Sequence, residues 1–83
     1  KKFRQINKFL EMLKDIEKEI PENSVIVDMG CGKSYLTFAM YHYFNIIHNK
    51  NVEIRGYDLK KDVVEYCNSL SEKFGFKNLK FYC

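Results

Sequence analysis

A glycine turn between an apolar run and a helical pattern is the feature of this sequence best suited to chemistry. The β-branched residues 25–27 lead into Asp28, and Gly30 and Gly32 follow at once. Glycines let backbone N–H groups approach a ligand closely, and the helix start behind them presents unpaired N–H groups to an anion. Asp28 cannot hold a phosphate, so we expect it to accept hydrogen bonds from a ligand's ammonium group, hydroxyl group or bound water. This order is typical of the first half of a nucleotide-cofactor site in doubly wound α/β folds.

Two phosphate-binding motifs have a similar glycine spacing, and neither fits. Gly32, Lys33 and Ser34 match the end of the P-loop G-x-x-x-x-G-K-[ST], but that motif needs a glycine where this chain has Val27. The dinucleotide fingerprint G-x-G-x-x-G needs a third glycine where this chain has Tyr35. The remaining pattern is Asp-x-Gly-x-Gly-x-Ser, with a strand, turn and helix that bind no ligand as the structural alternative.

A second strand-like segment also ends on an acid. Residues 52–59 alternate between apolar and polar types and include Asp58 near their end. In doubly wound folds, an acid at the end of the second strand accepts hydrogen bonds from the ribose of the cofactor. Asp58 follows the glycine turn at close to the usual separation of about 20 residues. Alone, such a residue is more often a solvated loop entrance, but together with the glycine turn it favours ribose binding.

The Asp-x-Gly-x-Gly-x-Ser pattern resembles the D/E-x-G-x-G-x-G motif of class I S-adenosylmethionine-dependent methyltransferases, with Ser34 in place of the last glycine. Serine is small and is able to cap a helix N-terminus. The resemblance runs from Val25 to about Leu70. Within it, short stretches of sequence are similar to those of a branch of the family that includes relatives of ribosomal-RNA adenine dimethylases. It implies an enzyme with a Rossmann-like fold and S-adenosyl-L-methionine as cofactor.

The resemblance also implies a role for each residue of the pattern. The two glycines would open the turn, and the N–H groups of residues 31–34 would face the methionine carboxylate. Asp28 would bond the amino end, Asp58 the ribose, and Leu59 would pack against the adenine. The predicted cofactor-binding residues are Asp28, Gly30, Cys31, Gly32, Lys33, Ser34, Asp58 and Leu59. Catalytic residues and the methyl acceptor are not readable; RNA is one candidate acceptor, and small molecules and protein side chains stay open.

Composition restricts the class of protein. The apolar fraction of 46% and charged fraction of 30% are ordinary globular values, so disorder is not expected. Three cysteines without a C-x-x-C pair predict neither a disulfide framework nor a zinc site. We therefore expect the thiols to be reduced, which favours a cytoplasmic protein. Cys31 is expected in the turn because it is small, rather than as a nucleophile. No apolar stretch approaches the 18 or so residues of a membrane span, and His42 and His48 lack metal-ligand spacing.

Periodicity predicts three helices alternating with three strands. The predicted segments are a helix over 3–20 ended by Pro21, a strand from 25, an aromatic helix over 35–47, a strand over 52–59, a helix from 60 or 61 to 74 closed by Gly75, and a strand over 79–83. The aromatic side chains of the second helix are expected to pack in the core rather than form a cofactor box. The residues expected on its buried face are Leu36, Ala39, Met40, Tyr43 and Ile47. The third helix is expected to bury Val63, Val64, Cys67, Leu70 and Phe74. Right-handed crossovers would place the strands parallel in the order 3-2-1. The fold class is α/β, a partial Rossmann-like doubly wound parallel sheet.

We therefore interpret residues 1–83 as a single partial domain, the cofactor-binding half of a methyltransferase domain. Because such folds normally continue with further strands, the fragment alone is expected to be inactive, and its uncovered first strand is expected to make it self-associate. Two alternatives stay open. An NAD-dependent oxidoreductase would also use an acid after the second strand, although Tyr35 counts against it, and a Rossmann-like interaction module would keep the fold without catalysis.

Overall fold

Six helices and strands follow one another along the described part of the chain. The computed structural model of the protein describes residues 2–29 and 34–83. The elements are helix α1 (Lys2–Ile16), strand β1 (Val25–Met29), helix α2 (Ser34–Tyr41), strand β2 (Glu53–Tyr57), helix α3 (Lys61–Lys73) and strand β3 (Leu79–Tyr82). A 3-10 turn, Glu17–Glu19, extends α1, and a π-helical segment, His42–Ile47, continues α2. The predicted order of elements is therefore confirmed.

The three strands form one parallel sheet in the order β1-β2-β3, which is the predicted order 3-2-1 counted from the other edge. Asp28 of β1 lies opposite Gly56 of β2, and Gly56 lies opposite Phe81 of β3. Parallel strands joined by helices are the architecture of α/β folds. The chain thus has the predicted fold class, a partial Rossmann-like sheet.

Burial alternates along the strands, so one face of the sheet is covered and the other is open. Ile54 and Leu79 are fully buried on the covered face, together with side chains of all three helices. On the open face, Val25 is 51% exposed and Val27 is 53% exposed. Successive side chains of a strand point to opposite faces, so the helices described here lie on a single face.

Helix α1 ends earlier than its apolar periodicity predicts. The α-helical hydrogen bonds stop at Ile16, and the 3-10 turn carries the chain to Ile20, which is extended with φ −94° and ψ 112°. The residue before a proline avoids helical geometry, so Pro21 accounts for the extended Ile20. Lys50 closes this helix end from across the fold, because its Nζ donates to the carbonyls of Glu17 and Ile20 at 2.7 and 2.6 Å.

Helix α2 packs its aromatic side chains in the core, as predicted. The buried positions are Thr37, Met40, Tyr41 and Phe44. Their spacing of three and four residues is that of one helical face. The face predicted from periodicity is therefore largely wrong: it comprises Leu36, Ala39, Met40, Tyr43 and Ile47, of which only Met40 is buried. Ile47 is exposed, since it lies in the wider π-helical turns that follow Tyr41.

Helix α3 ends in the predicted left-handed glycine, Gly75, with φ of +73°. Phe74, predicted to be buried, is exposed, although its ring packs nearly perpendicular to that of Phe38, with 6.2 Å between the centroids. Ser71 is buried in the helix instead. No helix within residues 2–29 and 34–83 is long and apolar enough to cross a membrane.

Candidate functional site

Two acids meet at the carboxyl edge of the sheet. Asp28 is the fourth residue of β1, and Asp58 directly follows β2. The strand ends are in register, with Met29 opposite Tyr57. The acids therefore lie on neighbouring strands at the edge where open α/β sheets bind their ligands.

The side chain of Asp28 is held by Thr37, a residue that the sequence patterns did not single out. Thr37 Oγ1 donates to Asp28 Oδ2 at 2.5 Å, and Thr37 is only 2% exposed. Asp28 Oδ1 has no hydrogen-bond partner among the described residues. The hydrogen bond joins β1 to α2 and fixes the orientation of the carboxylate, including Oδ1. The sequence feature that could have identified Thr37 is a hydroxyl within a predicted core helix, because a buried hydroxyl requires a hydrogen-bond partner.

Asp58 is also held through one oxygen. Its Oδ1 accepts the backbone N–H of Lys60 at 2.9 Å, which forms the Asx turn into α3. Its own N–H donates to the carbonyl of Tyr82 at 3.0 Å, which ties the turn to β3. Within the described ranges, Asp58 Oδ2 has no hydrogen-bond partner. Counting only residues 2–29 and 34–83, each of the two acids thus has one oxygen engaged by the fold and one without a hydrogen-bond partner.

Gly56 lies between the acids because the sheet requires a residue without a side chain there. A Cβ atom at this position would lie 2.6 Å from Cδ2 of Phe81. The Phe81 ring therefore lies over the backbone of β2 and forms part of the floor beside Asp28. Both acids, Thr37, Gly56 and Phe81 line one shallow depression of about 10 Å³.

A larger cleft of about 480 Å³ lies elsewhere, between α3 and the outer edge of β3. Its polar side chains include Asn68 and Ser71, and both are bonded to the backbone of β3. Cleft volume alone would favour this second location. We place the candidate site at the acids, because only there do polar oxygens converge without a structural partner among the residues described.

The structure leaves most of the predicted glycine turn undescribed. The roles predicted for Gly30, Cys31, Gly32 and Lys33 lie outside the described residues. Ser34 is the first residue of α2, as a helix start after the turn requires. Leu59 is 97% exposed beside Asp58. Its predicted contact with an adenine stays a prediction.

Other polar groups do not add to the site. Within residues 2–29 and 34–83, no group of three or more His, Cys, Asp and Glu side chains could hold a metal ion. Cys67 and Cys83 are free thiols. On the open face, Arg55 donates to Glu53 at 2.6 Å, and this hydrogen bond raises the pKa of the Arg55 guanidinium. The arginine guanidinium is already protonated at neutral pH, so a further rise of its pKa does not change its charge there.

A family model described as a methyltransferase domain matches residues 1–83. The matched range includes both strand ends with their acids and the intervening glycine turn. No curated protein and no solved structure matches the chain.

Proposed function

The chain belongs to the methyltransferase-domain family, and we propose that it forms the S-adenosylmethionine-binding portion of an S-adenosylmethionine-dependent methyltransferase. The observation that carries this proposal is the pair of available oxygens, Asp28 Oδ1 and Asp58 Oδ2, at the ends of neighbouring strands. The cofactor carries an ammonium group at one end and ribose hydroxyls toward the other. A pair of separated acceptors suits both groups.

The acids bind and orient, and they perform no covalent step. S-adenosylmethionine supplies a methyl group activated by its sulfonium charge. Methyl transfer then depends on holding the donor in line with the acceptor atom, since correct alignment is itself worth several kcal/mol of the barrier. Asp28 accepts a hydrogen bond from the ammonium group while Thr37 fixes its carboxylate. Asp58 accepts from a ribose hydroxyl while the N–H of Lys60 fixes its other oxygen.

Leu59 offers the apolar surface that an adenine ring needs. Its side chain is 97% exposed directly after Asp58. A ring bound there would remove apolar area from water, which contributes roughly 25 cal/mol per Å². The residues present therefore fit the cofactor: two acceptors for its polar groups and one apolar side chain for its base.

We propose RNA as the class of methyl acceptor. The chain carries a net charge of +3, and the exposed Lys60 and Lys61 follow Asp58 directly. Lysines near a donor site attract phosphates and give binding that weakens with salt. RNA retention at low salt that is lost in a double Lys60→Gln, Lys61→Gln variant would support this acceptor. Equal retention by the variant would argue against it.

Calorimetric titration with S-adenosylmethionine, S-adenosylhomocysteine and NAD in parallel tests the proposal. Asp58→Ala is expected to weaken S-adenosylmethionine binding by about 1–3 kcal/mol, or roughly 5- to 150-fold in Kd, because a charged acceptor is lost. Asp62→Ala, at an exposed acid in the first turn of α3, is the matched control and should leave Kd unchanged. Unchanged affinity in Asp58→Ala would remove Asp58 from the site, and preferential binding of NAD would favour an oxidoreductase.

Gly30→Val tests the proposed role of the glycine turn. A branched side chain would close the turn to the cofactor and strain any backbone that only glycine adopts freely. We expect a larger loss of S-adenosylmethionine affinity than in Asp58→Ala, with the unfolding midpoint measured alongside. Normal cofactor affinity in a folded Gly30→Val protein would show that this turn is not the binding loop.

A further inference from the structure

The end of strand β3 is held by one side chain of helix α3, that of Asn68. Its Nδ2 donates to the carbonyl of Phe81 at 2.9 Å, and its Oδ1 accepts the N–H of Phe81 at 2.8 Å. An amide that pairs with both backbone groups of one residue takes the place of a neighbouring strand. Asn68 is half-buried and lines the larger cleft rather than the depression at the acids. Any effect of Asn68 on the two acids therefore passes through β3.

The same end of β3 carries a backbone contact to Asp58. The carbonyl of Tyr82, the residue after Phe81, accepts the N–H of Asp58 at 3.0 Å. This bond lies at the start of the turn in which Asp58 Oδ1 accepts the N–H of Lys60 at 2.9 Å. Because consecutive residues of a strand are joined by rigid peptide units, holding Phe81 also holds the carbonyl of Tyr82. The amide of Asn68 is thus connected to Asp58 through two residues of β3.

The side chain of Phe81 makes a second contact with the strand that ends at Asp58. Its ring lies so close to Gly56 that a Cβ atom there would be 2.6 Å from Cδ2 of the ring. Gly56 is two residues before Asp58, and Phe81 is only 6% exposed. Close-packed interiors transmit small displacements, so a shift of this ring would move the end of β2. Backbone and side chain of Phe81 therefore act on the same acid.

We propose that Asn68 is a positioning residue for Asp58, the acid assigned to the ribose. The inference rests on the proposed S-adenosylmethionine site and adds to it a residue that touches no ligand. A binding group keeps its productive direction only when the groups behind it are themselves held. Without the amide of Asn68, the end of β3 would move and Asp58 Oδ2 would lose its alignment with a ribose hydroxyl. Asp28 is held separately by Thr37, so the ammonium end of the cofactor should be unaffected.

Ser71 provides a matched control on the same helix and the same strand. Its Oγ donates to the carbonyl of Leu79 at 2.7 Å, and Leu79 is the first residue of β3. Asn68 bonds the third residue of that strand, close to the acids. Ser71→Ala therefore also removes a hydrogen bond between α3 and β3, but at the strand end farther from Asp58. We expect Ser71→Ala to lower the unfolding midpoint and to leave the Kd of the cofactor unchanged.

Calorimetric titration with 5′-methylthioadenosine tests the positioning role. This probe has the ribose and adenine of S-adenosylmethionine but no ammonium group. Asn68→Leu should weaken binding of the probe and of S-adenosylmethionine by the same factor, about 2- to 30-fold in Kd. In an Asp58→Ala background, Asn68→Leu should cause no further loss, because its effect passes through that acid. Asn68→Asp keeps the acceptor and removes only the donor, so it should also weaken binding and replaces the leucine variant if circular dichroism shows that one unfolded.

Amide exchange followed by NMR measures the same contact without a ligand. Asn68→Leu should speed exchange at the N–H of Asp58 more than at that of Glu53, whose bond to Ser24 lies at the other end of β2. An unchanged Kd in Asn68→Leu, an equal loss in Ser71→Ala, or a full further loss in the Asp58→Ala background would each overturn the positioning role. A natural protein that binds neither ligand would instead overturn the proposed cofactor site, and exchange at the Asp58 N–H would then decide whether Asn68 holds this acid.

Discussion

Replacing Thr37 with valine isolates the hydrogen bond that positions Asp28. Valine has nearly the shape of threonine, so the change exchanges a hydroxyl for a methyl group at a buried position of α2. Asp28 Oδ2 then loses the donor that lies 2.5 Å away. Every other contact of the side chain with the core is kept, which makes the hydroxyl the one variable.

The expected cost follows from two opposing effects. A half-buried carboxylate oxygen left without its donor costs about 1–3 kcal/mol, while burial of the added methyl group returns about 0.8 kcal/mol. Thr37→Val should therefore lower the free energy of unfolding by about 0.2–2 kcal/mol. Thr37→Ser keeps the hydroxyl and loses a methyl group, so it separates the hydrogen bond from packing.

Urea unfolding of four proteins measures the effect: the natural chain, Thr37→Val, Asp28→Ala and the double variant. If the two side chains act as a pair, Thr37→Val should cost little once Asp28 is alanine, with a coupling energy of about 1–3 kcal/mol. S-adenosylmethionine titration adds a second readout, in which Thr37→Val should weaken binding and Thr37→Ser should not. An equal cost of Thr37→Val in both backgrounds would refute the positioning role.

Two further substitutions test contacts that join distant parts of the chain. Gly56→Ala should lower the free energy of unfolding by about 1–3 kcal/mol, because its Cβ would lie 2.6 Å from the Phe81 ring. Urea unfolding measures this loss, and a smaller loss in a Phe81→Leu background would identify the ring as the cause. Lys50→Met should cost about 1.5–3 kcal/mol and speed amide exchange near Ile20, because two charged hydrogen bonds to the carbonyls of Glu17 and Ile20 are lost. A Lys50→Met protein as stable as the natural chain would show that this contact contributes nothing.

The order of helices and strands was predictable because the residues that mark their ends act locally. Pro21 and Gly75 mark helix ends through their own backbone restrictions, whatever packs around them. The β-branched residues 25–27 favour a strand for a similar reason. The helix after the glycine turn is apolar on most sides, which is why its aromatic residues were predicted to pack in the core, although periodicity did not identify Tyr41 and Phe44 as its buried positions.

The incorrect burial predictions concern residues at which the chain departs from regular α-helical spacing. Ile47 was assigned to the buried face from α-helical spacing, but the π-helical turns after Tyr41 change that spacing. Phe74 was assigned to the core, yet it follows the last residue of α3 and is exposed, although its ring contacts those of Phe38 and Phe76. Neither departure leaves a signal in residue types, because both depend on how neighbouring elements pack.

In the candidate site, too, some residues were predicted from the sequence and others were not. Asp28 and Asp58 were predicted from their places at strand ends, which is a matter of position along the chain. The partners that hold them, Thr37 and the N–H of Lys60, were not predicted. A hydrogen bond between side chains on different elements requires the packed structure, so sequence patterns name the functional acids and miss the groups that orient them.

Asparagine side chains explain why the sheet is able to grow in only one direction. Asn68 bonds both backbone groups of Phe81, and Asn45 bonds both backbone groups of Val52 just before β2. An amide side chain carries one donor group and one acceptor, so it pairs with a backbone as a neighbouring strand would. Helix α3 supplies such a group to β3, whereas no described side chain bonds the outward backbone groups of Val25 and Val27. The polar residues of the helices therefore leave β1 as the edge available for a further strand.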